Sequence, residues 1–347
     1  MNCRERVLFA LNHVQPDRVP TDLQAVSEVW GKLGKYFKTT DQEVIMNALE
    51  IDCRWLWTRF SGPAPRIYPD GSYEGWGGSI LRKVCNQFGS YEEVVKYAVD
   101  EAETPGDIDQ LLRMPDPDDY DYSSVTEMCK SYNDYFLLAG CASMFYFPTL
   151  VRSMENILVD MALNSELAHD LFKRSVDWHL AYHERLLAAG KGRIDALQIA
   201  DDFSTQLAPL MSGDMFRTYF REPFKKFVDL GKSYGAKIYL HCCGSVYKLI
   251  PDLVDWGVEI LDPIQTTAAD MDPQNLKIQF GQKLTFHGAA NTQSILPCGT
   301  PDDVRNSARE LVKILGKDGG YILSACHNIQ ADVPVENVLA LYELRNR

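Results

Sequence analysis

Short runs of apolar, β-favouring residues alternate with longer helical patterns along this whole chain. Eight such runs are predicted as strands, over residues 18–23, 53–60, 136–143, 196–202, 237–244, 259–265, 284–291 and 321–327. Helices are predicted in most of the intervals, over residues 149–163, 165–189, 213–234, 246–256 and 300–315. Strands separated by helices pack as a parallel sheet, because each helix returns the chain to the same edge. Eight repeats predict a (β/α)8 TIM barrel of the α/β class. An open doubly wound sheet is the alternative, and it would be favoured by a glycine-rich phosphate loop that the sequence lacks after its first strand.

The alternation is interrupted once, by a segment rich in Pro, Gly, Trp and Tyr at residues 61–121. The 347 residues, 46% of them hydrophobic, are enough for one large α/β domain. We therefore predict a single barrel domain over residues 1–347, with 61–121 inserted near the second strand. A hairpin is expected around residues 68–73, and the insertion is expected to shape the active-site mouth.

Charge and composition argue against several classes of partner. The net charge of −13 disfavours binding to nucleic acid or to an anionic membrane surface. The sequence contains no apolar run of about 18 residues that would span a membrane, and its first residues lack a signal-peptide pattern. The nine cysteines show no disulfide spacing, which predicts a cytoplasmic protein with buried, catalytic or metal-bound thiols.

The fifth predicted strand ends in a His-x-Cys pair followed by glycine. Alternate side chains of a strand share a face, so His241 and Cys243 point the same way and Cys242 points the opposite way. One imidazole and one thiol supply half of a zinc site at the end of a barrel strand, where active sites lie. The alternative is that His241 is a hydrogen-bonded core histidine and Cys243 a small buried side chain.

A second pair of metal-capable residues stands at the end of the last predicted strand. Cys326 and His327 are adjacent, so on a regular strand only one of them faces inward. A third zinc ligand is expected from this pair, and the strand pattern alone leaves the choice open.

Further polar residues close other predicted strands. Asp201 and Asp202 follow the fourth strand, and Asp202 is the better candidate for a catalytic carboxylate, with helix capping as the alternative. His287 is a candidate for orienting substrate, or else a buried histidine bonded to backbone. Gln265 and Asn291 also lie at strand ends, and we predict that they contact substrate.

These residues carry a resemblance to the uroporphyrinogen decarboxylase superfamily, and more closely to its methyltransferase branch. The resemblance covers nearly the whole chain and is weakest over residues 61–121. The resembling pieces are Arg4-Glu5-Arg6-Val7, Pro16-Asp17-Arg18-Val19-Pro20, His241-Cys242-Cys243-Gly244, Leu261-Asp262-Pro263-Ile264-Gln265, Phe286-His287-Gly288, Asn328-Ile329 and Pro334-x-Glu336-Asn337.

The resemblance implies a (β/α)8 barrel with a zinc site in which His241 and Cys243 are the first two ligands. Aligned on Asn328, the family's third ligand falls on His327, while Cys326 lies one residue early; a local bulge that turns Cys326 inward is the alternative. The resemblance also implies a corrinoid (cobalamin) cofactor and a small-molecule methyl donor or acceptor. No cobalamin-binding Asp-x-His-x-x-Gly motif occurs in the sequence, so a separate corrinoid protein is the expected partner.

Three activities follow from the resemblance. The His-Asn-Ile-Gln sequence from His327, in place of the Gly-Cys-Gly of thiol methyltransferases, favours transfer of methyl from a methoxylated, often aromatic, compound to a corrinoid. Methylation of a thiol by a methylated corrinoid protein is the alternative. Metal-free decarboxylation is a second alternative, but the true decarboxylases carry Arg-x-Ala-Gly-Arg after the first strand, where this chain reads Thr21-Asp22-Leu23-Gln24-Ala25. A non-catalytic barrel with structural zinc is the remaining hypothesis.

Aromatic residues in and near the insertion offer walls for an apolar substrate, or else simply pack the insertion. They are Trp55, Trp57, Tyr68, Tyr73 and Trp76.

Overall fold

The predicted (β/α)8 barrel is confirmed. The computed structural model describes residues 1–87 and 89–343, and position 88 of the predicted insertion lies outside them. Its strands are β1 (Cys53–Leu56), β2 (Arg59–Phe60), β3 (Tyr73–Glu74), β4 (Ile80–Cys85), β5 (Ser90–Lys96), β6 (Tyr120–Asp121), β7 (Phe136–Ala142), β8 (Ala196–Ala200), β9 (Lys237–His241), β10 (Ile260–Asp262), β11 (Thr285–Ala290) and β12 (Tyr321–Ala325).

Helices follow almost every barrel strand. They are α1 (Cys3–Leu11), α2 (Ser27–Phe37), α3 (Gln42–Ala48), α4 (Pro105–Leu111), α5 (Ser123–Ser131), α6 (Met154–Leu163), α7 (Ser165–Gly190), α8 (Gly213–Ser233), α9 (Ile250–Trp256), α10 (Pro273–Phe280), α11 (Ile295–Cys298), α12 (Pro301–Leu315) and α13 (Val335–Tyr342). The predicted start of α12 is confirmed, because the Thr300 side chain accepts from the Asp303 N–H in a capping box. Helices α2 and α3 were not predicted, although they fill the interval after the first strand.

Seven parallel strands form the barrel wall in the order β1-β7-β8-β9-β10-β11-β12. The segment around Thr21 occupies the eighth strand position of the barrel wall. It forms a single bridge to Leu323 in place of the full predicted strand. The Asp22 N–H donates to the carbonyl of Leu323, and the Asp52 N–H donates to the carbonyl of Thr21. These bonds join β12 to β1 through the Thr21 segment, so the barrel closes.

The lower barrel interior is apolar and the mouth is polar. Phe136, Tyr239, Ile260 and Ile322 fill the lower interior, and Val7 of α1 packs against them from below. Strand alternation then directs the next inward residues, two positions further along, toward the carboxyl ends of the strands. The side chains available for chemistry are therefore collected at that end.

The described residues between β1 and β7 include small antiparallel elements outside the seven-stranded sheet. Strands β3, β4 and β5 make one sheet, and β2 pairs with β6 in another. The predicted hairpin is confirmed by a bridge between Ile67 and Tyr73, where the Tyr68 N–H donates to the Ser72 carbonyl at 2.8 Å. Within the described parts of the chain, every helix is too short or too polar to cross a bilayer.

Candidate metal centre and its cleft

Three metal-capable side chains meet at the carboxyl ends of the barrel strands. The donor atoms of His241, Cys243 and His327 all lie within 4.8 Å of one another. The Sγ of Cys243 is 3.5 Å from the Nε2 of His241. Two ligands on a tetrahedral zinc, with bonds of about 2.0–2.3 Å, are separated by roughly this distance. A donor set of two imidazoles and one thiol suits zinc in its chemistry as well as in its spacing.

Strand register explains why His241 reaches this point. Ala200 pairs with His241, and His241 pairs with Asp262, so the last residues of β8, β9 and β10 lie level. Cys242 faces outward as predicted and is part of the core that packs beneath the helices. The chain then turns at Gly244, whose φ of +92° favours glycine and where a Cβ would lie 2.5 Å from the Thr205 carbonyl oxygen.

The end of β12 decides which of the two adjacent candidates joins the cluster. The regular strand stops at Ala325, and residues 326–328 form a bend. The thiol of Cys326 is buried and donates to the Ile264 carbonyl at 3.2 Å, whereas His327 turns into the cleft. The imidazole rings of His241 and His327 have centroids 5.8 Å apart.

A chain of alternating carboxylates and imidazoles extends from His241 into the barrel. The Nδ1 of His241 lies 2.5 Å from one oxygen of Asp262, and the other oxygen lies 2.6 Å from the Nδ1 of His287. The Nε2 of His287 is 3.1 Å from Asp22, which also accepts the indole N–H of Trp55 at 3.0 Å. A His241 that donates from Nδ1 presents its Nε2 to the metal position.

Although Asp262 and His287 are buried and His241 is partly buried, their mutual interactions favour the charged form of each side chain. Burial lowers the pKa of His287, but Asp262 and Asp22 outweigh it and raise that pKa to about 9. Burial likewise opposes ionisation of Asp262, yet His287 and His241 hold the pKa of its carboxyl well below the usual range. Burial lowers the pKa of His241, while hydrogen bonds to Asp262 and Cys243 raise it well above the usual range. In the metal-free protein the imidazole of His241 therefore carries a proton that a bound metal would replace.

The two remaining donors behave as buried groups do. Burial raises the pKa of the Cys243 thiol and lowers the pKa of the His327 imidazole. At neutral pH the Cys243 thiol is protonated and the His327 imidazole is not, so a metal bound at Cys243 would displace the thiol proton.

The two adjacent aspartates have separate structural partners. One oxygen of Asp202 accepts the Cys243 N–H at 2.8 Å, which fixes the backbone of a metal-capable residue. Asp201 accepts from the Ser143 hydroxyl and from the backbone N–H groups of Met144, Phe145 and Tyr146. Burial raises the pKa of Asp201 to about 6, against the effect of these donors.

His241 and His327 open onto a cleft of about 330 Å³, which we call the metal cleft. Its lining contains the adjacent aspartates Asp201 and Asp202, together with Asp262, His287 and the two metal-capable histidines. Gln24, Cys141, Tyr146, Gln198, Ser324 and Asn328 also contribute. Among the described residues that line it, none is a lysine or an arginine.

Two predicted substrate contacts lie outside this lining. Gln265 accepts the Gly244 N–H at 2.8 Å and donates to Gln206 at 2.8 Å, so its amide holds two loops together. Asn291 accepts from the N–H groups of Gln293 and Ser294 in a local turn. His287 bonds to carboxylates rather than to backbone.

Sequence reasoning assigned no role to Asp262 or Asp22. The usable signal for Asp262 was its position at the end of the strand next to His241. Asp22 also lies near the end of a predicted strand, but its contact with His287 was not inferred across the 265 residues that separate them.

The fold and the site together define a (β/α)8 barrel protein with a candidate metal centre at the carboxyl-terminal mouth. The uroporphyrinogen decarboxylase (URO-D) family model matches residues 93–347. The chain belongs to this family.

Three similar proteins have methyltransferase names. Methylcobamide:CoM methyltransferase MtaA of Methanosarcina barkeri is 27% identical over 181 residues, which cover 51% of this chain and 49% of that protein. A methylated-thiol–coenzyme M methyltransferase of Methanosarcina mazei is 24% identical over 218 residues, covering 62% of this chain and 55% of that protein. The chain thus spans about half the length of the curated relatives it matches. This chain has the same fold as the solved structure of a methyltransferase from Methanosarcina mazei, with a TM-score of 0.67 and 19% sequence identity. The superposition covers 100% of this chain and 98% of that structure.

Proposed function

We propose that this protein is a zinc-dependent methyltransferase that moves a methyl group from a methoxylated compound to the corrinoid of a separate protein. The observation that carries the proposal is the donor trio of His241, Cys243 and His327 at the barrel mouth. Three protein donors leave the fourth position of a tetrahedral zinc open, which is typical of catalytic and not of structural sites.

Zinc held by these residues would act as a Lewis acid on the ether oxygen of the substrate and weaken its bond to the methyl carbon. In the overall reaction the O–CH3 bond breaks and both of its electrons stay on oxygen. Co(I) of the corrinoid supplies the electron pair for the new Co–CH3 bond and becomes Co(III). The alkoxide or phenolate product takes a proton from solvent.

The residues around the donors would hold them in place. Asp262 fixes His241 through its Nδ1, and His287, which is itself bonded to Asp22, in turn holds Asp262. Asp202 fixes the backbone of Cys243. We propose Asp262, His287 and Asp202 as positioning residues, since each acts through a metal donor and partners of this kind tune metal affinity.

The charge of the metal cleft argues against decarboxylation of a porphyrinogen. Such a substrate carries many carboxylates, which need cationic partners in the site. The described lining offers three aspartates and no arginine or lysine. Gln24 occupies the region in which the decarboxylases carry their arginine motif.

Methylation of a thiol by a methylated corrinoid protein is the second candidate function. The names of the two curated relatives favour it, since both are methyltransferases named for coenzyme M. The two directions differ in which corrinoid form is consumed.

Visible spectroscopy of the corrinoid tests both candidates. Zinc-loaded protein is mixed with cob(I)alamin and a panel of methoxylated compounds, and separately with methylcobalamin and a panel of thiols. We expect methylcobalamin to form in the first mixture, and we expect this formation to be absent with the His241→Ala variant. Loss of methylcobalamin only in the second mixture would establish the thiol methyltransferase. Turnover that is unchanged in His241→Ala would overturn the zinc mechanism in either direction.

A further inference from the structure

A second cavity of about 420 Å³, which we call the side cavity, adjoins the metal cleft. Gln24 and Asn328 line both spaces. Asn328 directly follows His327, so the boundary between the two spaces lies one residue from a metal donor. A molecule that reaches the metal position through this boundary would leave its remaining part in the side cavity.

The walls of the side cavity combine aromatic and thioether side chains with polar ones such as Gln42 and Glu43. They include Trp30, Trp55, Trp57, Met46, Met128 and Tyr132. These residues come from β1 and its end, from α2 and α3, and from α5 and its end, so three separate parts of the chain converge on one space. Flat rings and thioethers are the side chains that best contact an aromatic ring.

Two tryptophans at the end of β1 are held parallel to each other. The ring centroids of Trp55 and Trp57 are 6.0 Å apart with an interplanar angle of 15°. Trp55 is fixed by its N–H bond to Asp22 and by edge contact with Tyr239 at 5.6 Å. Trp57 lies against this fixed ring and is nevertheless 54% exposed. A large ring that is oriented but uncovered is available to a ligand.

The side cavity offers no free positive charge to a ligand. Arg54 is the cation among the described residues of its lining. Both oxygens of Glu43 accept from Arg54, at 2.8 Å and 2.7 Å, and its guanidinium lies 3.8 Å from the centre of the Tyr135 ring. The side chain of Arg54 is only 3% exposed. A negatively charged ligand would therefore lose its hydration without gaining a counter-ion.

We propose that the side cavity binds the aromatic ring of the methyl donor, and that this donor is an uncharged methoxyarene. The proposal rests on the proposed function, which places the methoxy group at the metal donors. It adds a ring subsite formed by Trp55 and Trp57 and a selection against anionic donors such as methoxybenzoates and sulfonates. The described lining of the metal cleft likewise contains no lysine or arginine that would pair with an anionic donor.

A matched pair of substrates tests the charge selection. 2-Methoxyphenol and 4-hydroxy-3-methoxybenzoate share the reacting group and differ by one carboxylate. With zinc-loaded protein at neutral pH, kcat/KM for the neutral compound is expected to exceed that for the benzoate about 100-fold, since unfavourable charge contacts cost several kcal/mol. A Gln24→Arg variant, which adds a cation at the boundary, is expected to reduce this ratio about 10-fold or more. Equal or better use of the benzoate by the wild type would overturn the selection.

A tryptophan variant tests the ring subsite. Trp57→Ala is expected to raise KM for 2-methoxyphenol about 10-fold while kcat and zinc content stay within about twofold, because only ring contacts are removed. Tyr36→Ala removes an aromatic residue of similar exposure on α2 that lines neither cavity, and it should change nothing. An unchanged KM in Trp57→Ala would overturn the subsite.

Calorimetric binding of 2-methoxyphenol separates this inference from the proposed function. Binding that is weakened in Trp57→Ala, without any methyl transfer, would support the ring subsite and overturn the methyltransferase. Methyl transfer that is indifferent to Trp57 and to the carboxylate would support the methyltransferase and overturn the ring subsite.

Discussion

Replacement of Asp262 by asparagine tests whether the buried carboxylate chain supports a metal centre. Asp262 is 5% exposed and bridges His241 and His287 through contacts of 2.5 Å and 2.6 Å. Asparagine keeps the size of the side chain and one acceptor oxygen but removes the charge. Loss of such a partner of a metal ligand weakens metal binding by about 10- to 100-fold. This corresponds to about 1.4–2.7 kcal/mol.

Zinc competition against a chromophoric chelator measures this effect directly, at fixed pH and on folded protein. Asp160→Asn is the matched control, because Asp160 is also a buried carboxylate, paired with Arg152 at 2.6 Å, and lies outside the metal cleft. The control should lose stability by about 3–5 kcal/mol and keep its zinc affinity. A zinc affinity of Asp262→Asn within twofold of the wild type would refute the supporting role.

The same variant has a second readout in the metal-free protein. The pKa of His287, about 9 in the wild type, should fall in Asp262→Asn because one of its two carboxylate partners is lost. A histidine whose folded pKa is raised stabilises the fold fully below its unfolded pKa of 6.5, and this stabilisation is lost as the pH rises through about 9. The wild type should therefore lose stability between these pH values, and Asp262→Asn should lose less. NMR titration of the imidazole and denaturant unfolding in EDTA measure the two quantities, and identical profiles for both proteins would contradict this view.

Three further predictions concern the donors and the turn that holds them. His327→Ala should weaken zinc binding at least about 100-fold in the chelator competition, whereas Cys326→Ser should not, and the reverse order would identify the other residue as ligand. Because His241 and Cys243 carry protons at neutral pH and His327 does not, zinc affinity should rise with pH by up to about two decades per pH unit. Zinc binding should also release protons that can be detected in weakly buffered solution. A zinc affinity that does not change with pH would contradict the assigned protonation. In denaturant titrations, Gly244→Ala should lower the free energy of unfolding by about 2 kcal/mol or more. Gly235→Ala should lower it by only about 1 kcal/mol, because the added Cβ would meet nothing within 4 Å. Equal losses would contradict the close approach of the Thr205 carbonyl oxygen to Gly244.

Local patterns predicted the barrel because they repeat. Each strand is a short apolar run, and each long helix carries its own cap or periodic face, so the order of elements could be taken from the chain. The first strand was predicted over residues 18–23 and exists only as a bridge at Thr21. Hydrogen bonds to both neighbouring strands, which no local pattern reports, place that segment in the wall.

The candidate site was partly predictable for the same reason. His241 and Cys243 share a face because the strand is regular up to that point. The strand pattern could not choose between Cys326 and His327, because β12 ends at Ala325 and the bend that follows breaks the alternation; only the family resemblance favoured His327. The Asp22–His287 contact depends on barrel closure across 265 residues, which sequence spacing does not encode. Contact of Gln265 with substrate stays a prediction, and the hydrogen bonds of its amide to Gly244 and Gln206 were not foreseen.

X-ray absorption at the zinc edge measures whether His241, Cys243 and His327 hold zinc with one open position. We expect one sulfur ligand at about 2.3 Å, two imidazole nitrogens at about 2.0–2.1 Å and one exchangeable light atom that changes when 2-methoxyphenol is added. Loss of the sulfur in a Cys243→Ala variant would assign it. Two sulfur ligands, or four protein ligands with no change on addition of substrate, would contradict the account.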